Sequence, residues 1–299
     1  MRKNMFLKIL PAKFLPAFRS AVCALLFIAA AAVSAAGERK PRVVSLSPCL
    51  TETIFKLGGG DRLVGRTSAC DYPAEVKKID IVGGFGKPSL EKVLSLKPDV
   101  VVASALADPA VQTTLERVGV KFLMLPTKSI DDYYATVKKL GDVLGCSSAA
   151  TKEIERVRAG LAKFAEANKK ARERGWKPPR VYLEIWDKPY MTVGKRSFIN
   201  DLITYAGGKN IAVDRDEDYF NCSQEWIIRT NPEIIICPAM KKGRVADVLG
   251  RRGWGGVAAV VDKRVHVDLN ESLVYRLGPR ILDGVALLRK IIGVDAEKK

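Results

Sequence analysis

The chain has 299 residues, 47% of them hydrophobic and 28% charged, with 24 Gly and 15 Pro. These proportions exclude a disordered, collagen-like or low-complexity chain and leave room for one or two globular domains. Fifty Lys and Arg against 33 Asp and Glu give a net charge of +17, a balance that by itself suits nucleic acid, a membrane surface or an acidic ligand.

Residues 1–20 carry Arg2, Lys3, Lys8, Lys13 and Arg19 and no acid, and residues 21–36 form an uncharged, Ala-rich run ending Val33-Ser34-Ala35-Ala36. That order is a secretory signal peptide, residues 1–36, cleaved after Ala35 or Ala36, and it predicts a periplasmic protein. A retained anchor fits less well, because the run is short and weakly hydrophobic. Lipidation fits less well again, because Cys23 begins the apolar run and a lipidated Cys would end it. No other apolar run is long enough to suggest a polytopic membrane protein. Loss of the signal removes five cations and leaves +12. The remaining cations are interleaved with acids, as in Lys152-Glu153-Ile154-Glu155-Arg156, which reads as a solvated helix face. No nucleic-acid motif accompanies them, so no nucleic-acid partner is predicted.

In chain order, residues 42–46 read as a buried strand, 50–57 as a helix stopped by Gly58, and 62–65 as a second strand. A helix follows over 90–96, a strand over 100–103, a helix over 110–117 and a strand over 121–125. Strands alternating with helices argue for βαβ units on a parallel sheet, and continuous apolar strands fit a sheet covered on both faces. Residues 147–174 differ. Ile154, Val157, Leu161, Phe164 and Ala165 recur at steps of three and four, predicting one long amphipathic helix that ends before Gly175 and Pro178-Pro179. The alternation then restarts, with a strand over 180–185, a helix over 198–206 stopped by Gly207-Gly208, and a strand over 233–237. A short helix over 245–249, a strand over 264–267 and a closing helix over 275–292 complete it. The predicted fold class is α/β, with two Rossmann-like lobes on parallel sheets joined by one long backbone helix and a ligand cleft between them. The predicted segments are 37–146, 147–175 and 176–299.

An internal echo supports two related lobes. Residues 89–99 read SLEKVLSLKPD and lead into Val100-Val101-Val102. Residues 223–233 read SQEWIIRTNPE and lead into Ile234-Ile235-Ile236. Each reads as a capped helix, a Pro stop and a strand. A first-turn acid is favoured by the helix dipole, which accounts for Glu91 and Glu225 singly but not for the shared pattern.

Five cysteines follow the signal: Cys49, Cys70, Cys146, Cys222 and Cys237. Their number is odd and none has finger spacing. His266 is the single His and lies in an apolar run, so no metal site is predicted. Cys49 and Cys70 fall at the same end of the first-lobe sheet, where they could pair or line the cleft as thiols.

Signal, two lobes, long helix and paired S-x-E motifs together resemble the helical-backbone periplasmic binding proteins of ABC importers for cobalamin, ferric siderophores and haem. The resemblance is strongest to the vitamin B12-binding branch. It rests on residues 43–52 (VVSLSPCLTE), 61–73 (DRLVGRTSACDYP), 90–101 (LEKVLSLKPDVV), 194–210 (GKRSFINDLITYAGGKN) and Gly278-Pro279-Arg280-Ile281, and covers residues 41–293. It implies that Glu91 and Glu225, one per lobe, dock on arginines of a permease dimer served by ATPase subunits. It also implies a small-molecule ligand, cobalamin, with no cofactor, in a protein that acts as a monomer and is not an enzyme. By position it makes Phe85 and Tyr219 (tryptophans in the relatives), Met191 (a phenylalanine there), Arg276 and Ser272 (an aspartate there) ligand contacts, while Ala69 replaces a tyrosine platform.

The residues themselves add Tyr72, Trp186 and Tyr190, because ligands of open α/β sheets sit beyond the carboxyl ends of the strands and flat aromatics suit a planar macrocycle. A ferric siderophore or haem receptor is the alternative, with Lys87, Lys188, Arg196 and Arg276 as nearby cations. The alternative from another class is a two-lobed Rossmann-like enzyme such as a glycosyltransferase. The sequence offers no Walker motif, nucleophile elbow or acid-partnered His to support it.

Overall fold

The computed structural model describes residues 40–104, 109–238 and 245–295; the predicted signal peptide lies outside them. In the first lobe, β1 (Val43–Ser45) leads into α1 (Pro48–Lys56), then β2 (Leu63–Arg66), β3 (Asp80–Ile81), and the small hairpin β4 (Gly83–Gly84) and β5 (Lys87–Pro88). Next come α2 (Leu90–Ser95), β6 (Val100–Ala103), α3 (Pro109–Arg117), β7 (Lys121–Met124) and α4 (Ile130–Leu144). The main sheet runs β3-β2-β1-β6-β7 with every pairing parallel. Strand order therefore reverses between β1 and β6, and a crevice opens there at the carboxyl ends.

The long helix α5 (Ser147–Glu173) has 27 residues and spans about 40 Å. Its buried stripe is Ala150, Glu153, Val157, Leu161, Asn168 and Ala171. The predicted stripe drifts at its end: Ala165 is exposed and Asn168 takes the inner position. That polar residue is tolerated because its amide donates to the carbonyls of Thr204 and Tyr205, supplying partners to a helix end.

The second lobe comprises β8 (Arg180–Asp187), β9 (Tyr190–Val193), α6 (Phe198–Tyr205), β10 (Lys209–Asn210), β11 (Tyr219–Asn221), α7 (Gln224–Thr230) and β12 (Ile234–Ile236). It continues with α8 (Val245–Leu249), α9 (Ala258–Val261), β13 (Val265–His266), α10 (Glu271–Tyr275) and α11 (Ile281–Ile292). β10, β8, β12 and β13 are parallel, as expected. The outer half of β8 also turns back through β9 and β11 as an antiparallel extension.

Further features depart from the sequence reading. The helix α4 falls where no element is predicted; a Ser129–Asp132 capping box starts it and Gly145, φ +59, ends it. Residues 186–191, where no element is predicted, largely form the β8–β9 hairpin. The closing helix, predicted from Tyr275, begins only at Ile281, because Gly278-Pro279 breaks the chain after the short helix α10.

Apolar runs bury alternately on the two sheet faces. Val43, Val100 and Val102 join one core while Val44, Val101 and Ala103 join another. In the second lobe Val181, Leu183, Ile234 and Ile236 face the first of these cores, and Tyr182, Ile235 and Val265 face a third. The shared core runs from Val43 through Leu140, Val157 and Leu161 to Leu202 and Leu288. Apolar packing on α5 thus joins the lobes continuously.

Candidate functional site

The site grows from the strand ends. Ser45 closes β1, and Ser47-Pro48 start α1 with Pro at the first helical position, where its fixed φ suits helix initiation. The Ser47 hydroxyl lies 3.2 Å from the Cys49 thiol. Phe85 sits at the tip of the β4–β5 hairpin, which turns in two residues because Gly86 takes φ +73. The Gly83-Gly84-Phe85-Gly86 run is therefore a hairpin that presents an aromatic ring. From the other lobe, Tyr219 begins β11 opposite Val193.

These residues wall a cavity of about 590 Å³ between the lobes. The first lobe contributes Ser47, Pro48, Cys49, Ala69, Phe85, Ser104, Thr127 and Lys128; the second contributes Ser197, Phe198, Asp218, Tyr219, Tyr275, Arg276 and Leu277. Phe85 and Tyr219 each remain 44% exposed, large apolar faces left open in the cleft.

Two polar seams flank the cavity. On one side the Phe198 N–H donates to the Lys128 carbonyl at 2.8 Å, and the Lys128 ammonium lies 3.2 Å from Asp218. On the other, Arg276 Nη1 donates to Glu52 at 3.0 Å and to Asp71 at 2.6 Å, while Arg280 takes both Glu52 oxygens at 2.7 and 2.8 Å. The bond from Arg276 holds the Asp71 carboxyl below its ordinary range. Arg280 also lies 4.1 Å from the centroid of the Tyr72 ring.

Of the predicted contacts, Phe85, Tyr219 and Arg276 come together at the cavity. The others do not line it. Tyr72 lies under Arg280, and Ser272 lies in the first turn of α10, where its N–H donates to Asn270. Met191 pairs in the β9 ladder with Asn221 and Trp186. Trp186 is 58% exposed and its indole N–H donates to the Lys188 carbonyl. Tyr190 turns to its own lobe, 5.9 Å from the Trp254 ring and 5.0 Å from the Arg251 guanidinium. Glu91 and Glu225 are exposed in the first turns of α2 and α7.

Cys49 and Cys70 are both free thiols. Burial pushes the Cys49 thiol up to about 11, so it faces the cavity protonated. Cys70 lies behind it, 3.2 Å from the hydroxyls of Thr51 and Thr67. His266 is on the edge strand β13, its pKa lowered by burial and by Arg264. The sequence reading omits Ser104, Thr127 and Lys128, although they follow the predicted strands β6 and β7 and the same carboxyl-end rule reaches them.

A cleft between two α/β lobes at their carboxyl ends, with an aromatic ring offered from each side, defines a solute receptor. The periplasmic binding protein profile matches residues 43–270. The chain belongs to that family, whose members are solute-binding proteins rather than enzymes and work with ABC transporter permeases. An uncharacterised ABC transporter substrate-binding lipoprotein of Bacillus subtilis is 32% identical, covering 88% of this chain and 83% of its own. A vitamin B12-binding protein of Salmonella choleraesuis is 30% identical over 81% of this chain and 86% of its own. Among solved structures, a periplasmic haem-binding protein from Pseudomonas aeruginosa matches with TM-score 0.76 and 27% identity, over 85% of this chain and 92% of that one.

Proposed function

We propose that this chain is exported by a cleavable signal, captures cobalamin or a related corrinoid in the cleft, and delivers it to the permease dimer of an ABC importer. The observation that carries the reading is the pair Phe85 and Tyr219, one from each lobe, half-exposed on the walls of one cavity. Flat apolar faces on two sides suit a large planar macrocycle, and few charged groups are needed to hold it. The likeness to the Salmonella protein named for vitamin B12 supports the same choice. Glu91 and Glu225 are the docking acids in this reading. The Glu225 carboxyl is lowered by its own backbone N–H and by Ser223, which favours the charged form a permease arginine would meet.

Titration calorimetry of the purified protein with cyanocobalamin, haemin and a ferric hydroxamate siderophore tests the ligand. Saturable one-to-one binding of cyanocobalamin alone is the expected result. Binding of either iron ligand in its place would retain the importer and remove the vitamin.

A further inference from the structure

Arg276 reaches the cavity with its charge already matched. Its guanidinium binds Asp71, Glu52 and the Ala69 carbonyl, the last at 3.3 Å. With Arg280 on Glu52, two guanidiniums face two carboxylates and the cluster is neutral. The two acids are not equivalent. The Glu52 side chain is 2% exposed and is held by both arginines. The Asp71 side chain is 60% exposed and is held by Arg276. Asp71 is the removable partner. On the opposite wall Asp218 meets two cations, Lys128 at 3.2 Å and Arg196 at 3.3 Å, so the balanced cluster is the one around Arg276.

We infer that Asp71 sets the charge selectivity of the cleft. By neutralising Arg276 at the cavity wall, it favours ligands that present neutral hydrogen-bonding groups there, such as carboxamides, over ligands that present carboxylates. The inference rests on the cleft being the ligand site. An incoming carboxylate must displace Asp71 or lie beside it. In the first case one ion pair replaces another with no net gain, and in the second two like charges meet. A carboxamide meets neither cost. The bonds above do not use all the N–H donors of Arg276, so it can donate to an amide carbonyl while Asp71 stays in place.

The test uses two ligand pairs that differ in charge on one scaffold: cyanocobalamin and its monocarboxylate, in which one peripheral amide is hydrolysed, and haemin dimethyl ester and haemin. Wild-type protein should bind the less anionic member more tightly. Asp71→Asn should shift the ratio of the two dissociation constants toward the acid by about fivefold at low salt, the upper scale for a partly exposed pair, and added salt should shrink the shift. Asp71→Glu, which keeps the charge, should keep the wild-type order. A ratio unchanged in Asp71→Asn, or an equal loss for both members of a pair, overturns the inference. If the cobalamin pair does not bind while the haemin pair shows the preference and its response to Asp71→Asn, the charge selectivity stands and the vitamin reading falls.

Discussion

On Glu52, three hydrogen bonds from two arginines of the opposite lobe converge at 2.7–3.0 Å. A buried carboxylate so placed balances its partners' charge, and removing it leaves Arg280 without its carboxylate and Arg276 held by Asp71 alone. Glu52→Gln should lower stability by about 3 kcal/mol, because breaking a buried pair strands the opposite charge. The measurement is the urea midpoint at constant m; a midpoint equal to wild type would mean that this carboxylate does not join the lobes. Both acids of the seam sit in stretches that the sequence reading singled out, yet their partners lie 205 to 228 residues away. Nothing local announces such a pair. Phe85 and Tyr219 were legible through the family resemblance, which places them by position, since the sequence predicts no strand directly before either. Tyr190 was not, because its place depends on Trp254 and Arg251.

Between elements, the internal echo is geometric as well as sequential. Ser89 and Ser223 each accept from the backbone N–H three residues on, capping α2 and α7. Lys97 and Asn231 both take φ +46 before a proline. Asp99 and Glu233 then accept from the N–H groups of Arg42, just before β1, and of Arg180, at the start of β8. Such a unit is readable because cap, stop and strand are adjacent in sequence. The helix α4 was not read, because Tyr133, Thr136 and Gly141 fill part of its buried face and dilute the apolar period. The split between α10 and α11 matters for the cleft, since it carries Arg276 and Arg280 to the first lobe. Packing of these two helices is close: a Cβ on Gly284 would lie 2.2 Å from the Leu273 carbonyl oxygen, whereas one on Gly160 would meet only the side chain of Leu282. Gly284→Ala should therefore destabilise by about 2 kcal/mol despite its better helix propensity. Gly160→Ala should be near neutral, because a leucine tip can turn. Thermal melts of the two variants check this, and equal melting temperatures would contradict the backbone contact.

Across the whole molecule, the shared core and the two polar seams argue that the lobes close little on ligand. Arg156 adds to this restraint, binding Glu153 on α5 and the Pro279 carbonyl beside the second-lobe seam. In the proposed reading, the permease would recognise such a receptor through small changes in lobe geometry. Two acids at equivalent places, one on each half of an internal repeat, suit a two-fold partner and would register such a change. Steering by paired charges of this kind acts on encounter and orientation more than on the ligand. The double charge reversal Glu91→Arg with Glu225→Arg should reduce uptake by more than about tenfold, since like charges would then face one another across the docking surface. Ligand affinity measured on the purified variant should stay at the wild-type value, because neither acid lines the cavity. Uptake at the wild-type rate would remove both glutamates from docking. Lost affinity with folding intact would instead place them in ligand capture, and the permease would have to read some other surface of the two lobes.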